Sequence, residues 1–181
     1  MNKKLFVISG CSGVGKGTVI SRFMERNKDF ILSVSCTTRQ PREGEVDGVH
    51  YFFISKDEFE QNIKDDKFLE HAYFAGNYYG TKKKYVQQKM DEGFNVLLEI
   101  DTQGALQVKE KMPDAVLIFI APPSFEELEH RLRGRHTEDE ATIQKRLSQV
   151  KIELERSQKY DYTVINDNVD RAVTEIENIV R

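Results

Sequence analysis

Seven residues near the start of the chain, Gly10-Cys11-Ser12-Gly13-Val14-Gly15-Lys16, have the spacing GxxxxGK. Glycines at such positions let the backbone close around phosphate oxygens, and successive N–H groups running into a helix N-terminus attract anions. Lys16 adds a mobile positive charge suited to the β- and γ-phosphates of a nucleotide. The pattern's usual hydroxyl after the lysine is replaced by Gly17, and a hydroxyl follows one place later at Thr18. That shift leaves open which hydroxyl, if any, meets a metal ion. The thiol of Cys11 sits inside the same loop. Ringed by N–H donors it would be a stabilised thiolate; packed inward it would be inert.

Two further groups could act on phosphate. Arg39 and Arg42 flank Pro41, which stiffens their loop, so two guanidinium forks can converge on one dianion. Asp101 ends an apolar stretch, where a carboxylate can reach the loop's phosphates. Glu99, two residues back, falls on the same strand face. Such a carboxylate pair suits Mg²⁺, which prefers oxygen and keeps several of its waters. Asp101 could equally cap the helix expected over Thr102 to Lys111, and the two roles are compatible.

The elements that must position these groups alternate between strand and helix. Leu5-Phe6-Val7-Ile8, Val96-Leu97-Leu98 and Ala115 to Ala121 are continuous apolar runs, the signature of strands buried on both faces. A weaker run spans Tyr162 to Ile165. Thr18 to Arg26 has helical apolar spacing, as do Val169, Ala172, Val173, Ile176, Ile179 and Val180. Ser55-Lys56-Asp57-Glu58 and Ser124-Phe125-Glu126-Glu127 read as capping boxes. An α/β fold follows, with a parallel sheet flanked by helices. From residue 33 to about 90 the pattern changes. A polar loop is followed by short aromatic strands at Tyr51 to Ile54 and Phe68 to Phe74, which predict a small mixed-sheet insertion. Residues 126–155 are mostly charged helix formers broken at Gly134.

Composition narrows the function class. With 39% hydrophobic and 31% charged residues among 181, the chain can bury a core as one domain. Its net charge of −3 lacks the basic excess that nucleic-acid binding needs. The two cysteines make no CxxC, and the four histidines make no HExxH, so neither zinc nor a disulfide scaffold is indicated. No apolar run approaches the roughly 20 residues that cross a bilayer, and no leader is recognisable. A cytoplasmic protein is expected. There is also no Ser/His/Asp or Cys/His set for nucleophilic catalysis.

Over essentially its whole length the sequence resembles the guanylate kinases. The resemblance is carried by Ile8 to Thr18, by Ser33-Val34-Ser35-Cys36-Thr37-Thr38-Arg39-Gln40-Pro41-Arg42, and by Gly44-Glu45-Val46-Asp47-Gly48 with His50-Tyr51-Phe52-Phe53. It continues through Phe68-Leu69-Glu70-His71-Ala72, Gly76-Asn77-Tyr78-Tyr79-Gly80-Thr81 and Glu99-Ile100-Asp101-Thr102-Gln103-Gly104. Arg131-Leu132-Arg133-Gly134-Arg135 and Asn166-Asp167 complete it. The Gly-Lys-Gly-Thr order, shared with adenylate kinases, also suits a nucleoside-monophosphate kinase. The resemblance implies transfer of a phosphoryl group from ATP to GMP, and to dGMP, with Mg²⁺, in purine metabolism. It further implies a P-loop kinase fold in three parts: a core over about 1–32, 94–125 and 156–181, a GMP-binding insertion over about 33–93, and a helical lid over about 126–155.

Residue roles follow from the same resemblance. Gly10, Cys11, Ser12, Gly13, Val14, Gly15, Lys16, Gly17 and Thr18 would cradle ATP, with Arg131, Arg135 and Arg146 on its phosphates and Asn166 and Asp167 near the adenine. Arg39, Arg42, Tyr51 and Tyr79 would hold the GMP phosphate, while Glu70, Ser35, Thr81 and Asp101 would read the guanine. Lys16, Arg39, Asp101, Arg135 and Arg146 would carry the catalysis, and Thr18 and Asp101 would approach the metal, Asp101 through a metal-bound water. Arg133 fits better as a cation at a helix C-terminus, and Tyr78 as packing. Two rivals are a kinase for another acceptor, such as AMP or a sugar phosphate, and a non-catalytic, protein-binding relative. Glu70, Ser35 and Thr81 oppose the first; the intact loop from Gly10 to Lys16, with Arg39 and Asp101, opposes the second.

Overall fold

The computed structural model describes residues 4–134 and 139–181. β1 (Leu5–Gly10), β2 (Phe30–Leu32), β7 (Asn95–Glu99), β8 (Val116–Ala121) and β9 (Tyr162–Ile165) form one sheet in the order β2-β7-β1-β8-β9. Every pairing in it is parallel. Leu5, Phe6, Val7 and Ile8 are all buried because both faces of the sheet are covered. Alternate residues serve opposite faces. Phe6, Ile8, Leu97, Ile118 and Ile120 join one core, which takes in Val19, Ile20 and Phe23 of α1 (Lys16–Arg26) and Ala172, Val173 and Ile176 of α7 (Val169–Val180). Leu5, Val7, Val96, Leu98 and Leu117 face the other way, onto Ala105 and Val108 of α4 (Thr102–Lys111) and Val86 of α3 (Lys83–Asp91).

The expected mixed insertion is a four-stranded sheet. It comprises β3 (Cys36–Thr37), β4 (Phe52–Phe53), β5 (Phe68–Phe74) and β6 (Asn77–Lys82), in the order β4-β3-β6-β5. β3 and β4 are parallel, whereas β6 runs antiparallel to both β3 and β5. Behind it lies α2 (Lys56–Lys64), capped as expected by Ser55, whose Oγ accepts from Glu58 N–H at 3.1 Å. Phe59 stacks on Phe68 and on Tyr78, with centroids 4.4 Å and 5.1 Å apart, so Tyr78 is a packing residue. Leu69 of β5 belongs to the second core of the main sheet, which binds the insertion to it.

The charged stretch forms α5 (Phe125–Arg133) and α6 (Glu140–Ser157). The second cap also forms: Ser124 Oγ accepts from Glu127 N–H at 3.0 Å. Arg133 Nη2 donates to Glu140 Oε1 at 2.9 Å and lies 2.8 Å from Glu129, so this cation ties the two helices together. α6 carries Ile143, Leu147 and Val150 into the first core.

Candidate active site

The phosphate loop leaves β1 at Gly10 and enters α1 at Lys16. Gly13 and Gly15 have φ of +83° and +87°, a region that side-chain-bearing residues rarely occupy. At Gly10 a Cβ would meet the Ile120 carbonyl at 2.7 Å, so the turn can close only on a glycine. α1 begins without any acidic residue in its first turn, and no side chain caps Gly15. Its positive end thus faces a cavity of about 440 Å³ bordered by the loop from Gly10 to Thr18, with Asp101 and Glu153. Thr18 is exposed at this border.

A second cavity of about 340 Å³ lies between the two sheets. Ser35, Tyr51, Glu70, Tyr79, Glu99 and Asp101 line it, joining segments far apart in sequence. The buried carboxylate of Glu70 accepts from the Thr81 hydroxyl at 2.7 Å. Burial, opposed by that hydroxyl and reinforced by Asp101, pushes the Glu70 carboxyl up to about 7. Asp101 borders both cavities. It also caps α4, its Oδ1 accepting from Gly104 N–H at 2.7 Å, so capping and cavity lining do coexist. Glu99 lies 3.9 Å from Lys16 Nζ, linking the second cavity to the loop.

Arg39 is poised beside the second cavity. Its guanidinium grips Glu45 with two bonds of 2.9 Å and 2.8 Å and lies 5.4 Å from the Tyr51 ring centroid. The pair, with the Arg42 backbone N–H at 2.7 Å from Glu45 Oε2, holds the Glu45 carboxyl down at about 2. The Arg42 side chain itself is exposed. Tyr51 and Tyr79 meet edge to face at 6.1 Å, and burial raises the Tyr51 hydroxyl above its ordinary range.

Beneath the loop, Asn166 is buried and donates through Nδ2 to the Val14 carbonyl at 2.8 Å. Asp167 pairs with Arg171 at 2.8 Å. Arg146 lies on α6, half-buried. Arg135 and the side chain of Arg131 lie outside the described residues. Cys11 is not the stabilised thiolate that its place in the loop allowed. The residue is 3% exposed, and burial followed by the charge of Glu153 pushes its thiol up to about 12. A thiol so placed packs inward and stays protonated.

Two participants escape sequence reasoning. Glu153 is buried in α6, and its Oε2 accepts from Ser12 N–H at 3.2 Å, inside the phosphate loop. Burial raises its carboxyl, while Ser12 and Lys16 draw it back. The available signal was an acid three residues after Val150 on an otherwise apolar helix face. Glu45 is the other: it looked like loop polarity, yet it organises Arg39.

Side-chain oxygens of Ser12, Thr18, Asp101 and Glu153 border the loop cavity beside the Lys16 ammonium, and the one thiol there, Cys11, is buried. No group of three metal-ligating side chains stands among the described residues. That donor set fits an ion that brings most of its ligands as water and phosphate, as Mg²⁺ does.

The family model described as guanylate kinase matches residues 2–181. The guanylate kinase of Latilactobacillus sakei subsp. sakei (strain 23K) is 52% identical over 177 residues, covering 97% of this chain and 87% of that protein. That of Caldanaerobacter subterraneus subsp. tengcongensis is 54% identical over 176 residues, covering 97% and 85%. The chain belongs to the guanylate kinase family. Its fold agrees: the crystal structure of guanylate kinase from Anaplasma phagocytophilum superposes with a TM-score of 0.75 at 34% identity, covering 99% of this chain and 85% of that one. Among the described residues no helix is long and apolar enough to cross a membrane.

Proposed function

We infer that this guanylate kinase family member transfers the γ-phosphate of ATP to GMP, and to dGMP, giving ADP and GDP or dGDP, in a cytoplasmic recycling of guanine nucleotides. The observation that carries the reading is the pair of cavities sharing Asp101, one walled by the phosphate loop and the other by Glu70, which Thr81 holds from behind.

A GMP phosphate oxygen attacks the γ-phosphorus, and the bond to the β–γ bridging oxygen breaks to release ADP. The attacking group needs no base, because a phosphate monoester with second pKa about 6 is largely dianionic at neutral pH. Catalysis is then positioning and charge stabilisation. Loop N–H groups and Lys16 hold the transferring phosphate, with Arg146, Arg135 and Arg131 as cations from α5, α6 and their connection. Arg39, Arg42, Tyr51 and Tyr79 hold the acceptor phosphate. Glu70 and Asp101 accept from guanine N1–H and the amino group, and Ser35 supplies a hydroxyl; the Thr81 hydroxyl, expected on the base, is instead buried and spent on holding Glu70. Adenine would set an unprotonated N1 against Glu70, a mismatch that a hydrogen-bonding site rejects by about 10⁴. Mg²⁺ would be held at Thr18 and, through water, at Asp101, where it supplies charge neutralisation of the nucleotide phosphates.

Coupled measurement of ADP formation with ATP and a panel of GMP, dGMP, AMP, CMP and UMP tests the reading. Turnover confined to the two guanine nucleotides is expected. Turnover with AMP at a comparable kcat/KM, or none with any acceptor, would overturn it.

A further inference from the structure

Gly104 sits in the first turn of α4, and its backbone N–H makes the 2.7 Å bond to Asp101 Oδ1. Its missing side chain matters on the opposite side. A Cβ built there would lie 2.9 Å from Glu70 Oε2, 3.4 Å from Glu70 Cδ and 3.4 Å from Asp101 Oδ1. The first distance is closer than a side-chain carbon comes to another heavy atom, so something would have to shift.

Neither neighbour gives way freely. Glu70 is 5% exposed, and its other oxygen is held by Thr81. α4 is fastened to β5 one residue beyond Glu70: the Gln107 amide both accepts from His71 N–H and donates to His71 C=O, at 3.1 Å each. Lys111, at the end of α4, adds a bond to the Phe68 carbonyl at 2.8 Å. Helix and carboxylate are thus each anchored, and only a glycine fits between them. The helix itself would favour alanine.

We propose that Gly104 is a positioning residue for base recognition: its N–H orients Asp101, and its bare Cα leaves the space in which Glu70 seats. One residue thereby fixes the separation of the two carboxylates. The inference rests on the reading of Glu70 and Asp101 as base acceptors.

The test compares Gly104→Ala, Glu70→Gln, Glu70→Asp and the double variant Gly104→Ala/Glu70→Asp, using GMP and inosine monophosphate, which lacks the 2-amino group. In Gly104→Ala, kcat/KM for GMP should fall about tenfold or more through KM. KM for ATP should stay within about twofold, and the preference for GMP over inosine monophosphate should shrink. Shortening the acid withdraws it from the new Cβ, so the double variant should lose less than the product of the single losses. Unchanged GMP KM and base preference in Gly104→Ala, equal losses toward ATP and GMP, or additive losses in the double variant would each overturn the proposal. Should Glu70→Gln keep full GMP selectivity, the base-acceptor reading itself fails and takes the proposal with it. A selective loss in Glu70→Gln beside a silent Gly104→Ala overturns the role of Gly104 alone.

Discussion

Lys16 Nζ stands 3.9 Å from Glu99 Oε1, so the cation of the phosphate loop is paired with a carboxylate that lines the acceptor cavity. The loop's charge is aimed across the junction where phosphoryl transfer would occur. Lys16→Ala should lower kcat by about 10²–10³, the usual cost of losing one preorganised charge. GMP binding measured by calorimetry should change little, because the acceptor side chains remain. Retention of half the parent kcat would remove Lys16 from the chemistry.

Thr81→Val should expose how Glu70 is tuned. The hydroxyl that opposes burial would be gone, driving the Glu70 carboxyl above its present value of about 7. The acid limb of kcat/KM for GMP should therefore move to higher pH, while Thr81→Ser leaves it in place. The lost hydroxyl bond should also cost about 1 kcal/mol of stability, the Thr81 backbone N–H remaining on Glu70, read from denaturant midpoints.

Stability against pH gives an independent reading of the same carboxyl. Its folded value of about 7 lies above the ordinary 4.5, so the folded state binds the proton more tightly. Stability from this group is full below about pH 4.5 and is lost as pH rises through about 7, by about 3 kcal/mol in all. Relative to Glu70→Gln, the parent protein should match at pH 4 and be less stable at pH 8. A constant difference across that range would contradict the assignment.

Arg39→Lys keeps the charge but not the fork. A lysine cannot hold Glu45 through two bonds and face a phosphate at once. KM for GMP should rise by about tenfold or more with KM for ATP unchanged, the loss expected when a bidentate charge-assisted contact is broken. Steady-state kinetics with each substrate varied in turn would detect an equal rise in both, which would deny Arg39 its acceptor role.

Both thiols should be silent in the native protein. Cys11 and Cys36 are buried, and burial raises them to about 12 and about 11. A colorimetric thiol reagent at pH 8 should titrate neither until denaturant is added, and then both. Rapid native reaction at Cys11 would restore the thiolate reading.

The main sheet was legible because parallel strands buried on both faces announce themselves as apolar runs; Leu5 to Ile8 and Ala115 to Ala121 needed nothing further. The helix starts at Ser55, Asp101 and Ser124 were legible from their capping side chains, whereas that of α6, capped by Asp139, was lost in a run of acids. α1 begins two residues before the helical spacing at Thr18, because Gly15 starts it without a capping side chain. β2, β3 and β6 leave no clear pattern in the sequence, since strands of two or three residues and the glycine-bearing β6 owe their form to their neighbours. At the site, residue types and motif spacing were enough to nominate Lys16 and Asp101. Glu45 and Glu153 act through partners 6 and 141 positions away, which no local pattern encodes.

Asp101 serves two cavities and a helix start at once, and this makes the molecule unequally open to redesign. Glu70 and Ser35 border only the second cavity, so an engineer seeking a different nucleobase can rework them without disturbing the nucleotide loop. Asp101 offers no such freedom. Replacing it would loosen the first turn of α4 and reshape the wall behind Thr18 in one stroke. Variation tolerated over generations should follow the same divide, with acceptor preference drifting through the insertion's own side chains while this shared carboxylate stays fixed.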